Sequence, residues 1–409
     1  APCPWLASPL KRWRLVLRVL SAGGGDVQNY MHTRLCNICG HSSPSRPAGY
    51  VPAGRFYTSV EDLDINCSSI HAVGCGSVGS EPMIKMPFPG LGFGGHATLH
   101  GHPKPEVAIR MATTAISMGV RHFDTALHYG NLASVGEALK KLPRSSTWIT
   151  SKVSRCSSSE SALSCATRSE RTIALSLSAL KVAFVDLLLV HSTPSGSREG
   201  CNEAICRLIR AQWAVMERAR ADGRVGVLGV VNFCEQCLEC LRSPNVSLSP
   251  VIAYVHMFLG FGFNSQGEAG RRARSLREYT RGRGIRLAAI SPLSSVPGHL
   301  TRLFAVQECV RQHQISPIQV PLAWLHQAGV PFVFASRNAS HQAENVATTL
   351  RDFPVLTDPC LRMLNNVSMD PSDHNSHSSL YAACKKCPTR LRPKYQECGR
   401  KQLGAAPSP

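Results

Sequence analysis

Eight short apolar runs, spaced so that a helix fits between most neighbours, constrain this chain more than any other feature. They are Pro89–Gly94, Val120–Asp124, Trp148–Lys152, Val185–His191, Val225–Val231, Val251–Val255, Ile285–Ser291 and Pro331–Ala335. Each has strand length, and most of the connections are too long for hairpins. Parallel strands require such crossovers, usually through a helix. The first crossover carries its own signals, with Pro105 at its start and Gly119 past its end. Val107, Met111, Ala115 and Met118 share one face of it. Eight strands alternating with helices predict an α/β fold, a (β/α)8 TIM barrel, over residues 83–357. An open doubly wound sheet is the alternative, and it wants a glycine-rich phosphate loop running straight into a helix. Gly90–Gly95 is rich in glycine, but no helical pattern follows it at once.

The flanks differ from this middle. Residues 1–82 are rich in Ser, Gly, Pro and Cys, lack hydrophobic periodicity and read as an irregular basic N-terminal extension. Leu10–Leu20 is basic and amphipathic, and Asp26 is the sole acid before Glu61, a composition that suits an organellar transit peptide. A disordered extension, or translated non-coding sequence, suits it at least as well. Residues 358–409 read as a polar C-terminal tail. The expected location is cytoplasmic, or organellar if the first segment is a transit peptide.

A net charge of +19 raises the question of nucleic acid. The excess is +2 over residues 1–82, +13 over 83–357 and +4 over 358–409. It therefore sits on the globular part, where a polyphosphate cofactor would benefit from it, and not in a basic tail. The run Arg271, Arg272, Arg274, Arg277, Arg281, Arg283 and Arg286 reads as a solvated helix face. No aromatic stacking platform accompanies it, so no nucleic-acid partner is expected. No apolar stretch reaches the ~18 residues of a membrane span, and no membrane association is expected.

The chain holds 17 cysteines, scattered along its length, with no visible secretory signal. They read mostly as reduced thiols. Cys36 with Cys39, and Cys384 with Cys387, have metal-ligand spacing. Neither has the clean second pair a structural zinc needs, so no metal is expected. Cys234, Cys237 and Cys240 recur every three residues and read as thiols along one helix face.

In a barrel, catalytic groups sit at the carboxyl ends of the strands. Here three consecutive runs end in an ionisable residue: Asp124, then Lys152, then His191. Tyr129 follows the first by five positions. Apolar buried strands do not ordinarily finish this way.

The residues around these ends make the pattern specific. Gly119–Ala126 with Tyr129, Asn131, Val135 and Gly136 resembles the signature of the aldo-keto reductase family. So do Ile149–Lys152, Val185–His191, Val230–Phe233, Ser291–Leu293 and Glu344-Asn345. The resemblance covers residues 83–350. It implies NAD(P)H-dependent reduction of an aldehyde or ketone, with Asp124, Tyr129, Lys152 and His191 as the catalytic set. It also implies cofactor contacts from Asn232, Ser291, Leu293, Ser336, Arg337, Glu344 and Asn345. The expected cofactor is NADPH, with NADH the alternative, and the expected partner is a small carbonyl compound met by a monomer.

The chemistry of the four residues stands beside the resemblance. A carbonyl reduction needs a hydride at carbon and a proton at oxygen. Tyr129 supplies the proton. A free phenol has a pKa near ~10, and a neighbouring Lys152 ammonium is expected to lower it. Asp124 holds the lysine, and His191 orients the carbonyl. Several cofactor positions depart from the family pattern. Val231 stands where a serine is usual, Tyr254 where a glutamine is, and Ile290 where an aromatic ring stacks on the nicotinamide. Ala335 and His341 replace the two cations usual at the adenosine phosphate, leaving Arg337 as the nearby cation. These losses motivate a rival reading, a catalytically weak nucleotide-binding barrel acting as a regulatory subunit.

Overall fold

Strands buried on both faces read as nearly continuous apolar runs, and only alternation between two cores reveals their period. In β6 (Val185–Val190), Leu187 and Leu189 join one cluster of buried side chains while Leu188 and Val190 join another. In the computed structural model, which describes residues 63–66, 83–95, 101–194, 201–259, 267–293 and 301–367, these are the inside and the outside of a closed barrel. Its eight parallel strands are β3 (Gly90–Gly92), β4 (His122–Asp124), β5 (Trp148–Val153), β6, β7 (Val225–Val231), β8 (Ile252–His256), β9 (Arg286–Ile290) and β10 (Phe332–Phe334). They follow chain order, and β10 closes on β3 through Val333 beside Gly90. The predicted fold class is the observed one, and each predicted run overlaps one strand, with β5 and β8 running one residue further than expected.

Helices cover the outside. The first, α1 (Pro105–Ser117), starts at its proline and buries Ala108, Met111, Ala112 and Ala115. The expected face is shifted, since Val107 is only partly covered and Met118 caps the end. Next come α2 (Leu132–Leu139), α3 (Ala162–Leu180) and α4 (Glu203–Ala221), the last two capped by Ser161 and Asn202 side chains. The short α5 (Glu235–Glu239) follows β7, and α6 (Gly267–Arg281) carries the arginine run as far as Arg281. Arg277 and Arg281 are exposed on this helix, while Arg283 pairs with Glu239 beyond its end and Arg286 is exposed in β9, so the helix face covers only part of the run. The rest are α7 (Phe304–His313), α8 (Gln319–Gln327), α9 (Ala339–Ala347) and α10 (Asp358–Asn365).

The flanks also contribute structure. β1 (Leu63–Asn66) pairs antiparallel with β2 (Met83–Met86), and Met86 packs into the barrel interior. The packed region also runs past residue 357, because α10 buries Cys360 and Leu364. Cys36, Cys39, Cys384, Cys387 and the Leu10–Leu20 segment lie outside the described residues.

The floor of the barrel holds a polar chain. His122 Nε2 meets Thr150 Oγ1 at 2.9 Å and the Tyr254 hydroxyl at 3.3 Å. Burial drives the His122 imidazole down to about 3, so the ring is neutral. Tyr254, at a position where the resemblance implied a cofactor contact, spends its hydroxyl on this floor.

The reading of the cysteines as reduced thiols is corrected. Eight of them form disulfides: Cys156–Cys165, Cys201–Cys237, Cys206–Cys240 and Cys309–Cys360. Two bridges staple the start of α4 to the α5 segment, and one ties α10 to α7. Partners far apart in sequence meet only after the helices stack, so spacing alone could not pair them. Cys234 lies outside these pairs and buried, with its sulfur 3.5 Å from that of Cys237.

Candidate active site

Barrel register sets the core of the site. Asp124 at the end of β4 pairs with Thr150 on β5, and Lys152 lies two residues further on the same face. Lys152 Nζ reaches Asp124 Oδ1 at 2.5 Å and donates to the Thr125 carbonyl at 3.1 Å. The two residues are 3% and 5% exposed, so this is a buried ion pair and not a surface one. Tyr129 ends a single turn, Leu127–Tyr129, that Gly130 closes with a φ of 70°. Its ring centroid lies 5.1 Å from Lys152 Nζ. A Cβ at Gly94 would come within 2.9 Å of that ring, so glycine lets the β3 end pass close over the tyrosine. His191 follows β6, its amide bonded to the Val153 carbonyl at 3.1 Å.

The four predicted catalytic residues thus converge at the carboxyl end of the barrel. Tyr129 Oη and His191 Nε2 stand 3.4 Å apart, at the limit of a hydrogen bond between them. A third atom, such as a carbonyl oxygen, can accept from both. Burial holds the His191 imidazole well below its ordinary value, and Lys152, His128 and His102 push it the same way. It is therefore a neutral donor at physiological pH. Burial raises the Tyr129 phenol, and Lys152 pulls it down by less. The expected lowering by lysine exists, but burial outweighs it. Burial disfavours the Lys152 ammonium, yet Asp124 and Tyr129 more than compensate and its pKa is raised. Burial pushes the Asp124 carboxyl up against the pull of Lys152.

The cofactor residues named from the sequence form two groups. Asn232 and Ser291 follow β7 and β9, both in the left-handed region, with φ of 55° and 53°. Asn232 Oδ1 accepts from the His256 amide at 3.0 Å. Leu293, two residues past Ser291, is partly buried. The second group follows β10. Ser336 bonds within its own turn to Asn338, and Asn338 caps α9 by accepting from the Ser340 amide at 2.9 Å. Arg337 is exposed and donates to the Gly101 carbonyl at 2.8 Å. Glu344 and Asn345 lie on α9, where Asn345 Oδ1 is buried with no hydrogen-bond partner among the described residues. That orphan acceptor, the capped helix start beside Arg337 and the left-handed turn at Asn232 suit a dinucleotide.

Residues that sequence reasoning missed also line the site. His128 precedes Tyr129, and its ring centroid lies 4.6 Å from that of Tyr129 and 4.4 Å from that of His191. His102 stands 4.8 Å from Tyr129 and 5.5 Å from His128. Their only sequence signal was an unusual density of histidine near the first two strand ends. Asn131 was noted in the signature without a role. It is buried and donates to the Phe93 and Pro103 carbonyls at 3.1 and 3.2 Å, tying down the loop that carries His102.

The same span, residues 90–359, matches the family model described as "Aldo/keto reductase family". The chain belongs to the aldo/keto reductase family. Similar characterised members include deoxymugineic acid synthase 1-D of Triticum aestivum, 30% identical over 287 residues that cover 66% of this chain and 84% of the relative. The NAD(P)H-dependent 6'-deoxychalcone synthase of Glycine max is 28% identical, covering 65% and 83%. D-galacturonate reductase of Fragaria ananassa is 26% identical, covering 64% and 81%. Among solved structures, the aldo-keto reductase MGS-M4 from a deep-sea metagenome shares the fold with a TM-score of 0.58 at 22% identity, covering 72% of this chain and 96% of that one. The aldose reductase of Schistosoma japonicum does so at 0.56 and 23%, covering 70% and 91%. This aldo/keto reductase is accordingly an NAD(P)H-dependent oxidoreductase that reduces a carbonyl compound. No described helix is long and apolar enough to cross a membrane.

Proposed function

We propose that Tyr129 is the general acid of the reduction, with Lys152 and Asp124 setting its environment and His191 orienting the substrate. The observation that carries this is the approach of Tyr129 Oη to His191 Nε2, 3.4 Å apart and beside the buried Lys152–Asp124 pair. A reduced nicotinamide, when bound, supplies the hydride. Tyr129 gives its hydroxyl proton to the carbonyl oxygen, and the Lys152 ammonium steadies the phenolate that remains. His191 donates its N–H to the same oxygen and fixes the carbonyl plane. A phenol raised above its ordinary value is fully protonated at neutral pH, as a proton donor must be.

Asn232, Ser291 and Leu293 are assigned to the nicotinamide end, Ser336 and Arg337 to the adenosine phosphate, and Glu344 and Asn345 to the adenine. We assign NADPH as the preferred cofactor over NADH. Arg337 at the start of α9 supports this choice, since its charge and the helix N-terminus both favour a phosphate there. Initial rates with NADPH and NADH against 4-nitrobenzaldehyde test it in wild type and Arg337→Met. The expected result is a lower KM for NADPH that rises about tenfold in the variant while that for NADH stays put. Equal KM values for both cofactors in wild type would overturn the assignment.

A further inference from the structure

The mouth of this site is unusually rich in imidazole. His102, His128 and His191 contact one another or Tyr129 through ring centroids 4.4–5.7 Å apart. Lys152 lies beneath them. The sole carboxylate in this group is Asp124, and Lys152 already uses it. The rings therefore face cations and one another with no negative partner among the described residues. The loop's other histidines, His96 and His100, lie outside those residues.

The two outer rings differ in what they offer. His102 Nδ1 accepts from the Gly95 amide at 3.0 Å. That bond fixes its proton on Nε2 and opposes a second proton, because Nδ1 would lose its donor. His102 is thus a fixed neutral N–H donor. His128 is exposed on one side and packed against His102, Tyr129 and His191 on the other. Among the described residues its ring makes aromatic contacts only. Partial burial, then His102 and Lys152, hold it down to about 4. It is neutral in the free protein for want of an anion, and it has a face left to meet one.

We infer that His102 and His128 form a second subsite, beside the carbonyl position, that takes a carboxylate carried by the substrate. The inference rests on the reductase reading above and names the substrate class: an aldehyde or ketone that is also an acid. Tyr129 and His191 hold the reacting oxygen. His102 donates from Nε2 to the carboxylate, and His128 takes up a proton as the carboxylate arrives and binds it as a cation. The sign is definite. An anion raises the His128 pKa from about 4, so association strengthens as pH falls from the raised value toward 4. An uncharged analogue shows no such trend.

Two measurements on the full chain separate this from the reading it rests on. The first titrates the His128 imidazole by NMR in the NADP+ complex, with saturating 4-(hydroxymethyl)benzoate or benzyl alcohol. A raised His128 pKa with the acid alone is expected, and a ring merely packed into the wall would not move. No rise with the acid overturns the subsite, whether or not the enzyme turns over. The second compares kcat/KM for 4-carboxybenzaldehyde and its methyl ester. Wild type should favour the acid about tenfold or more, as a charge-assisted contact implies. His128→Leu should bring the ratio near one, and His128→Lys should restore it without its pH dependence. The same ratio in wild type and His128→Leu would also overturn the subsite. Turnover of the ester alone would sink the subsite and spare the reductase reading.

Discussion

The two sides of the barrel mouth are built differently. On the side of β4, β5 and β6, Asp124 and Lys152 are buried and ion-paired, and Lys152 also donates to the Thr125 carbonyl at the end of β4. At the ends of β7, β9 and β10, Ser291, Ser336, Arg337 and Glu344 are partly or fully exposed, and most of the hydrogen bonds that the cofactor residues make go to nearby backbone. The first side has its charges paired without a ligand, although Asp124 Oδ2 and His191 Nδ1 have no hydrogen-bond partner among the described residues. The second has no such buried ion pair at its centre among the described residues and adds a buried acceptor, Asn345 Oδ1, that a ligand would satisfy. Proton transfer demands preorganised groups. Cofactor binding draws on many modest contacts, so a single loss such as Ile290 for an aromatic ring is expected to cost little.

Breaking the preformed side should cost most. Lys152→Met leaves Asp124 buried without its cation, so stability should fall by about 3–5 kcal/mol in urea unfolding, with activity lost as well. Loss of activity with unchanged stability would mean the pair is not buried as described. The floor beneath this side makes a second test. His122 is held neutral near 3, against an unfolded value near ~6.5. Its folded pKa is depressed, so its contribution is full above pH 6.5 and shrinks as pH falls toward 3. At pH 5 the loss should be ~2 kcal/mol, read from unfolding midpoints, and His122→Gln should flatten that slope.

The more open side should answer mildly. Ile290→Trp, which restores a ring beside the nicotinamide position, should tighten cofactor binding by about 0.5–1.5 kcal/mol in fluorescence titrations. Weaker binding would place Ile290 elsewhere than against the cofactor. Reduction rates should show no inflection near pH 6.5 from His191, because that ring is already neutral there. A kcat that changes tenfold between pH 6 and 7 would contradict a neutral His191.

Much of the first side was legible in sequence because each polar residue closes an apolar run. Asp124, Lys152 and His191 announce themselves that way, and barrel closure brings them together. His122 was hidden, since it sits inside a run and its partners Thr150 and Tyr254 come from distant strands. His102 and His128 meet only because the stretch around His102 packs against Tyr129, its Pro103 carbonyl held by Asn131. The spacing of Cys237 and Cys240 was visible, but not their partners, Cys206 on α4 and Cys201 just before it. The strand inside the N-terminal extension, Leu63–Asn66, lay in a segment without periodicity.

The most direct test concerns Tyr129 itself. NADPH oxidation at 340 nm would be followed with 4-nitrobenzaldehyde in wild type and Tyr129→Phe, together with NADPH affinity by fluorescence quenching. Removing a general acid of this kind should cost about 100-fold or more in kcat while leaving the Kd for NADPH within a factor of about two. Full turnover in Tyr129→Phe would contradict the account and move the proton to another donor.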